Sequence, residues 1–85
     1  MSRHAKLPDA LRVERVERRA GTETITPLEG AAWVDVAAAR AIYAVSSAVI
    51  VEMDGAHLFR FVMADEGAAC NGVETLALVA MHGGR

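Results

Sequence analysis

The chain has 85 residues, of which 53% are hydrophobic, and its formal net charge at pH 7 is −2. This length predicts one domain, residues 1–85, with a small core, and the single cysteine, Cys70, excludes an intramolecular disulfide. No apolar segment follows the basic N-terminus as in a signal peptide, and the charged and polar residues within 31–51 argue against a membrane span. These features predict a soluble, cytoplasmic protein.

The N-terminal part of the chain is basic. Residues 1–7 are expected to form a flexible basic arm, and residues 1–19 carry six basic and three acidic side chains. Pro8 and Asp9 suit the start of a helix and Gly21 suits its end, which predicts a helix over 11–19 that lies across one side of the domain. Its apolar stripe is thin, so a strand over residues 11–14 is the competing interpretation.

Two further elements are predicted before the middle of the chain. Residues 22–26 alternate and are rich in threonine, which predicts a short strand that ends at Pro27. Residues 31–47 combine many alanines with apolar residues at helical spacing, which predicts a helix with Asp35 as the candidate N-cap. The β-branched residues near Val45 favour an alternative, a short helical turn followed by a strand that begins at Ala41.

The strongest local signal is a β-hairpin within residues 48–64. Two runs of β-branched and aromatic residues flank the dipeptide Asp54-Gly55, which is typical of hairpin turns. Because side chains alternate along a strand, the odd positions form a face of Val, Phe and Met. The even positions form a second apolar face that also carries Glu52 and Arg60. The odd face is expected to pack in the core.

The length of the hairpin loop follows from keeping these two faces apart. A two-residue turn would pair odd with even positions and place Arg60 among the core valines. A three-residue loop, 53–55, with Gly55 in the left-handed conformation, avoids this. It predicts that Val51 lies opposite His57, Val49 opposite Phe59, and Ile50 opposite Leu58.

The C-terminal residues 72–82 are predicted to form a helix. Asn71 and Glu74 have the spacing of a capping box, and Gly83 can end the helix. The alternation over 75–81 would also suit a strand, but the capping residues favour the helix. The predicted fold class is therefore α+β: a small two-layer domain in which a hairpin-centred antiparallel sheet of two or three strands packs against helices.

Side chains that could perform chemistry are few. His57 with His82 or Cys70 could in principle bind a metal ion or form a Cys/His catalytic pair, but none of them has the close spacing of metal-ligand motifs. The expectation is no catalytic residue, no metal and no cofactor. A small Cys/His-dependent enzyme or metal-binding domain is the second alternative function.

The basic residues of the segment 12–19 make nucleic-acid binding the first alternative function. Glu14 and Glu17 interrupt this tract, and the sequence pI of about 5.8 argues against a nucleic-acid-associated regulatory protein. Phe59 and Phe61 could stack on bases, but no basic and glycine-rich context surrounds them, so they are expected in the core.

The leading expectation is a non-catalytic protein-binding module, which forms a homodimer or docks on a partner protein as an adaptor or inhibitor. Small phage-type inhibitors of host proteins are of this kind. No membrane partner is expected, and no family resemblance is evident. The predicted partner-binding residues combine the even hairpin face with the basic tract: Ile50, Glu52, Leu58, Arg60, Val62, Arg12 and Arg15.

Overall fold

The computed structural model describes residues 4–29 and 34–82. Its main element is a five-stranded antiparallel sheet with the strand order β3-β2-β7-β6-β5. Two short strands form a separate antiparallel pair, and one helix covers a face of the large sheet. The bounds are β1 His4–Ala5, β2 Arg12–Arg19, β3 Thr22–Leu28, β4 Val34–Asp35, a 3-10 helix Val36–Ala38, β5 Ala41–Val45, β6 Ala48–Glu52, β7 His57–Val62 and α1 Glu66–His82.

The α+β class is confirmed, but the sheet has five strands instead of two or three. The largest difference is β2, because the predicted helix over 11–19 is wrong. As a strand, the segment buries Val13 on one face of the sheet and Val16 on the other. A helix would have offered only a thin apolar stripe, so pairing with two neighbouring strands buries more of the segment.

A tight turn joins β2 to β3. Ala20 and Gly21 both have positive φ, 50° and 79°, and the flanking residues Arg19 and Thr22 lie opposite each other. These are the features of a two-residue type I′ turn, whose twist matches that of the strands. Gly21 is therefore the second residue of a hairpin turn and does not end a helix.

The strand β3 continues through Pro27, where the sequence predicted its end. Pro27 lies opposite Glu14, and β3 is an edge strand. Proline is tolerated on an edge strand when its nitrogen, which has no hydrogen to donate, points away from the sheet. The nitrogen of Pro27 therefore points towards the outer side of β3, away from β2.

The predicted helix over 31–47 is also wrong. The alternative, a helical turn followed by a strand from Ala41, describes what is observed. Asp35 caps the short 3-10 helix, because its carboxylate accepts a hydrogen bond from the Ala37 N–H at 3.1 Å. Residues 31–33 lie outside the described part of the chain. Pairing with β6 overrides the helical preference of the alanines.

The hairpin of β6 and β7 has the predicted separation of faces but a longer loop. Val51 lies opposite Phe59 and Val49 opposite Phe61, a shift of two residues from the predicted pairs. The same shift places Ile50 opposite Arg60 instead of Leu58. A shift of two residues keeps every side chain on its face, and so the odd positions form the core face.

The hairpin loop is closed by backbone hydrogen bonds and by a side chain, and not by a left-handed glycine. The N–H groups of Met53 and Asp54 donate hydrogen bonds to the His57 carbonyl at 3.0 and 3.3 Å. The carboxylate of Asp54 accepts hydrogen bonds from the N–H groups of Ala56 at 2.7 Å and His57 at 2.8 Å. Gly55 does not have positive φ, so the predicted bulge at this glycine is wrong. The Asp54 carboxylate holds the longer loop of residues 53–56.

The helix α1 begins earlier than predicted. Asp65, and not Asn71, caps it, because the Asp65 carboxylate accepts a hydrogen bond from the Ala68 N–H at 2.7 Å. The helix runs to His82, as the sequence predicted, and Gly83 lies outside the described residues.

The main core lies between α1 and one face of the sheet. Val49, Val51 and Phe61 are fully buried there against Ala69 and Leu76 of the helix. The strand pair β1–β4 closes one end, with Ala5 and Leu7 buried in the same cluster. Residues 4–7 are thus part of the fold and not a flexible arm, while residues 1–3 lie outside the described chain.

Helix and sheet approach each other most closely at Gly72. A Cβ atom at this position would lie 2.9 Å from a methyl group of Leu7 and 2.9 Å from a methyl group of Val49. Val49 is fully buried and β-branched, so it has little freedom to move aside. Only glycine allows α1 to lie this close to β6.

We expect Gly72→Ala to lower the free energy of unfolding by about 1–3 kcal/mol, because the added methyl group overpacks the core. Alanine is the better helix former, so the sign of the change tests whether packing or propensity dominates. Urea unfolding measures it. The control Gly55→Ala, in the exposed hairpin loop, where an added Cβ atom would meet nothing within 4 Å, is expected to stay within about 0.5 kcal/mol of the parent. A more stable Gly72→Ala variant would contradict the close approach.

The left-handed conformation of Ala20 gives a second prediction. Ala20→Asn creates the Asn-Gly pair that type I′ turns prefer and should stabilise the protein by about 0.5–1 kcal/mol. Ala20→Val is the opposing control, because a β-branched residue with positive φ is strained and should destabilise the protein. Thermal unfolding of both variants measures the effect, and equal melting temperatures would contradict the turn assignment.

Candidate functional site

The face of the sheet opposite α1, here called the open face, carries a second and smaller apolar cluster. Val16, Ile50 and Leu58 are buried in it, with Ala48 packed against them. All four belong to strands, whereas the helix residues Ala69 and Leu76 belong to the core on the other face. Within the described residues, no helix therefore packs on the open face.

The strand registers place the open-face residues in rows across the sheet. Two neighbouring rows run across all five strands, from β3 to β5. The middle row contains Pro27, Glu14, Arg60, Ile50 and Tyr43. The row beside it contains Ile25, Val16, Leu58, Glu52 and Ala41.

Large apolar side chains are exposed at both edges of the open face. Ile25 on β3 is 42% exposed, and Tyr43 and Val45 on β5 are 38% and 53% exposed. A shallow depression of about 250 Å³ lies beside β5, lined by apolar and arginine side chains: Arg18, Tyr43, Val45, Ala48, Ile50, Leu58 and Arg60. The apolar stems of the arginines explain how Ile50 and Leu58 are buried without a covering helix.

The centre of the open face holds a buried carboxylate between two arginines. Glu14 is only 6% exposed, although it belongs to the charged segment. Its Oε1 atom accepts hydrogen bonds from Arg60 at 2.7 and 2.8 Å, and its Oε2 atom accepts one from Arg12 at 2.9 Å. Arg60 thus contacts the carboxylate through two nitrogen atoms, a geometry that fixes both side chains.

The protonation of Glu14 follows from these contacts. Burial by itself would raise the pKa of Glu14, but the hydrogen bonds from Arg60 and Arg12 and their positive charges outweigh it. The pKa of Glu14 is therefore lower than its ordinary value. The carboxylate stays ionised and holds the two arginines in place.

The other charged side chains of the open face are also paired within the chain. Arg18 contacts Glu23 at 2.9 Å, and Glu52 contacts Arg40 at 3.6 Å and the Tyr43 hydroxyl at 3.4 Å. The open-face positions of the strands carry three arginines and three glutamates: Arg12, Arg18, Arg60 and Glu14, Glu23, Glu52. With Arg40, which contacts Glu52 from outside these positions, the charges of the open face nearly balance.

Six of the seven predicted partner-binding residues lie on the open face: Ile50, Glu52, Leu58, Arg60, Val62 and Arg12. Arg15 lies opposite Phe59 and therefore on the other face. The prediction missed Ile25, Tyr43 and Val45, whose strands were assigned too short or as helix. The alternation over 22–28 and the β-branched residues over 41–45 were the signals that pointed to them.

The basic tract does not form one patch. Because β2 alternates, Arg12 and Arg18 lie on the open face, whereas Arg15 and Arg19 lie on the opposite face. Arg12 and Arg18 are also paired with Glu14 and Glu23. A phosphate backbone would need several unpaired cations on one surface, and β2 places two arginines on each face.

His57 lies at the end of β7 between two carboxylates. Its Nε2 atom is 3.1 Å from Glu17, and its Nδ1 atom is 3.1 Å from Asp54. Hydrogen bonds from the Ala56 and His57 N–H groups, and then from the His57 ring, lower the pKa of the exposed Asp54 carboxyl. The described residues include no group of three or more His, Cys, Asp and Glu side chains that could hold a metal ion. The contacts of His57 with Asp54 and Glu17 connect the hairpin loop to β2.

Cys70 is exposed on α1 and His82 is the last residue of the helix.

No helix in the described part of the chain is both long and apolar enough to cross a membrane.

Comparison with known proteins identifies no relative: no family model, no curated protein and no solved structure matches the chain.

The buried carboxylate gives a prediction about acid stability. Because the pKa of Glu14 is lower in the folded than in the unfolded protein, its contribution is complete above the unfolded pKa of about 4.3 and is lost as the pH falls through the folded pKa. We expect Glu14→Gln to be less stable than the parent at pH 7 by about 1–3 kcal/mol. We also expect the variant to lose less stability than the parent between about pH 6 and pH 3.

Urea unfolding across this pH range measures both effects. The matched control is Glu74→Gln, exposed on α1, which should follow the parent at each pH. Parallel pH profiles of the parent and Glu14→Gln would contradict the role assigned to this carboxylate.

Proposed function

We propose that the protein is a non-catalytic protein-binding module and that the open face is its docking surface for a partner protein. The observation that carries the proposal is that α1 covers one face of the sheet, whereas the open face keeps exposed apolar side chains at both edges. Exposed apolar side chains that lie together, as Tyr43 and Val45 do in the depression beside β5, are typical of an interaction site on a small domain.

The composition of the open face supports a protein partner. Its apolar centre, Val16, Ile50 and Leu58, is surrounded by Tyr43 and the paired arginines. Tyrosine and arginine are enriched where protein interfaces have their strongest contacts. Because the charges of the open face nearly balance, it suits a partner surface that is apolar and forms hydrogen bonds better than a partner surface that is strongly charged. Such a module acts by occupying a surface of its partner, as an adaptor or an inhibitor.

The charged groups of the open face support a role without catalysis. Glu14, Arg12 and Arg60 bind one another, and Arg18 and Glu52 are likewise paired. A general acid or base must be free to exchange a proton with a substrate, whereas these groups are engaged with one another. Contacts that exist before the partner binds lower the entropic cost of binding.

The proposal is tested by crosslinking in cells of the native host. A photoreactive amino acid is placed at Ile25 on the open face, or at Leu78 on α1 as a control with similar exposure (42% and 55%). We expect Ile25 to yield an adduct with one dominant protein, and Leu78 to yield none, because only the open face contacts the partner. Equal adducts at both positions, or none at Ile25, would contradict the proposal.

A further inference from the structure

The two edges of the sheet differ in their capacity to accept another strand. The β3 edge carries Pro27, which cannot donate a hydrogen bond, and the charged Glu23. Natural sheets use proline and charged residues to prevent pairing between edges. The β5 edge, Ala41–Val45, has no proline and no charged side chain. Within the described residues, no strand pairs with its outer side.

The register of β5 shows which of its backbone groups are unpaired. Val45 and Ala48 lie opposite each other across the two-residue turn Ser46-Ser47. Residues that flank such a turn exchange both backbone hydrogen bonds, and the bonds recur at every second residue. Tyr43 therefore bonds to β6, and the N–H and C=O groups of Ile42 and Ala44 point away from the sheet.

We propose that a second copy of this chain pairs with the β5 edge in the antiparallel direction, about a two-fold axis at Tyr43. In this register, Ile42 of each copy exchanges two hydrogen bonds with Ala44 of the other, so all the outward groups of both residues are paired. The two Tyr43 side chains then form a pair without hydrogen bonds between their backbones, in which cross-strand side chains lie closest.

The β5 edge can meet a second copy of itself without repulsion. Symmetric pairing places Val45 opposite Ala41 of the other copy, and because β5 carries no charged side chain, no like charges meet. Arg40, at the start of the strand, is paired with Glu52 of its own chain at 3.6 Å. The side chains of β5 therefore meet uncharged side chains along the whole edge.

Apolar surface beside the strand can add to the area that a dimer buries. Five paired residues alone are too few, because stable interfaces bury at least about 1,000 Å² in total. On the helix side, however, an open groove of about 460 Å³ follows β5, lined by Val36, Ala37, Ala39, Arg40, Ala41, Ile42, Ala77, Ala80 and Met81. Met81 is 72% exposed there, and Tyr43 and Val45 are exposed on the other side of the strand. Apolar surface therefore borders the edge on both sides.

This inference extends the proposed function: the β5 edge joins two copies, and the open face of each copy keeps its own partner. Pairing at β5 would make one continuous open face of ten strands. Ile25 lies on β3, at the far edge, and is remote from the predicted axis. Tyr43 belongs to both surfaces, whereas Ala44 lies opposite Val49 and therefore on the helix side of β5. Variants at Ala44 and Ile25 thus let dimer formation and partner binding be lost separately.

Sedimentation equilibrium from about 1 to about 100 µM tests the dimer. The parent is expected at twice its chain mass of 9.0 kDa. Tyr43→Lys and Tyr43→Glu should each raise the dimer Kd at least about tenfold, because like charges then lie side by side. An equimolar mixture of the two variants should recover the dimer as a heterodimer.

The matched controls are Ile25→Lys and Ile25→Glu, on the same face with nearly equal exposure (42% for Ile25 and 38% for Tyr43), which should dimerise like the parent. A parent that is monomeric throughout, a mixture that does not associate, or equal loss in both pairs of variants would overturn the proposal. If the β5 edge instead binds a strand of another protein, the parent will be monomeric and will bind that protein at β5.

If the Tyr43 variants do not fold, as judged by circular dichroism, Ala44→Pro replaces them. The proline removes only an outward N–H group, so it leaves the ladder with β6 intact and should abolish the dimer. Ala44→Ser keeps the N–H group and should dimerise. An Ala44→Pro variant that folds and still dimerises would overturn the proposal. Crosslinking at Ile25 then shows separately whether partner binding persists.

Discussion

The structure depends on the pairing of β2 with β7, in which Glu14 lies opposite Arg60. This pairing places a charged segment inside the sheet, where its neighbours must neutralise it. Arg60 and Arg12 contact the Glu14 carboxylate at 2.7 to 2.9 Å, so the buried charge is fully paired. An unpaired carboxylate in this position would be costly, and the contacts therefore also specify the register of the two strands.

The second constraint is the contact between α1 and the sheet. Gly72 lets the helix approach Val49 and Leu7 closely, and the resulting core contains the large residues of the odd face, among them Phe61. The described part of this small chain contains only one long helix, α1, and this helix covers one face of the sheet. The other face must then be stabilised by its own side chains, with arginine stems and Tyr43 packed around Ile50 and Leu58. The proposed partner surface and the proposed dimer edge are both consequences of a sheet that is larger than its cover.

Local signals predicted the hairpin, its two faces and the C-terminal helix, and six of the seven predicted partner-binding residues lie on the open face. They failed for β2 and β5, because Arg12–Arg19 and Ala41–Val45 have no decisive local preference. Leu11–Arg19 lacks a strong periodicity of either kind, and alanine favours a helix unless a neighbouring strand supplies hydrogen bonds. The three-residue hairpin loop was wrong for a related reason: the Asp54 carboxylate bonds two N–H groups of the loop and stabilises a longer one.

Which side chains of a strand share a face follows from the order of the residues alone, because alternation along a strand is a property of the backbone and does not depend on what the strand pairs with. The balance of charges and the absence of an intramolecular disulfide follow from it too. Long-range pairing, in contrast, makes the basic tract a strand, divides its arginines between two faces and leaves β5 at an edge. Strand order and edge position arise from pairings between residues distant in the chain, such as Glu14 and Arg60, and no local pattern encodes them.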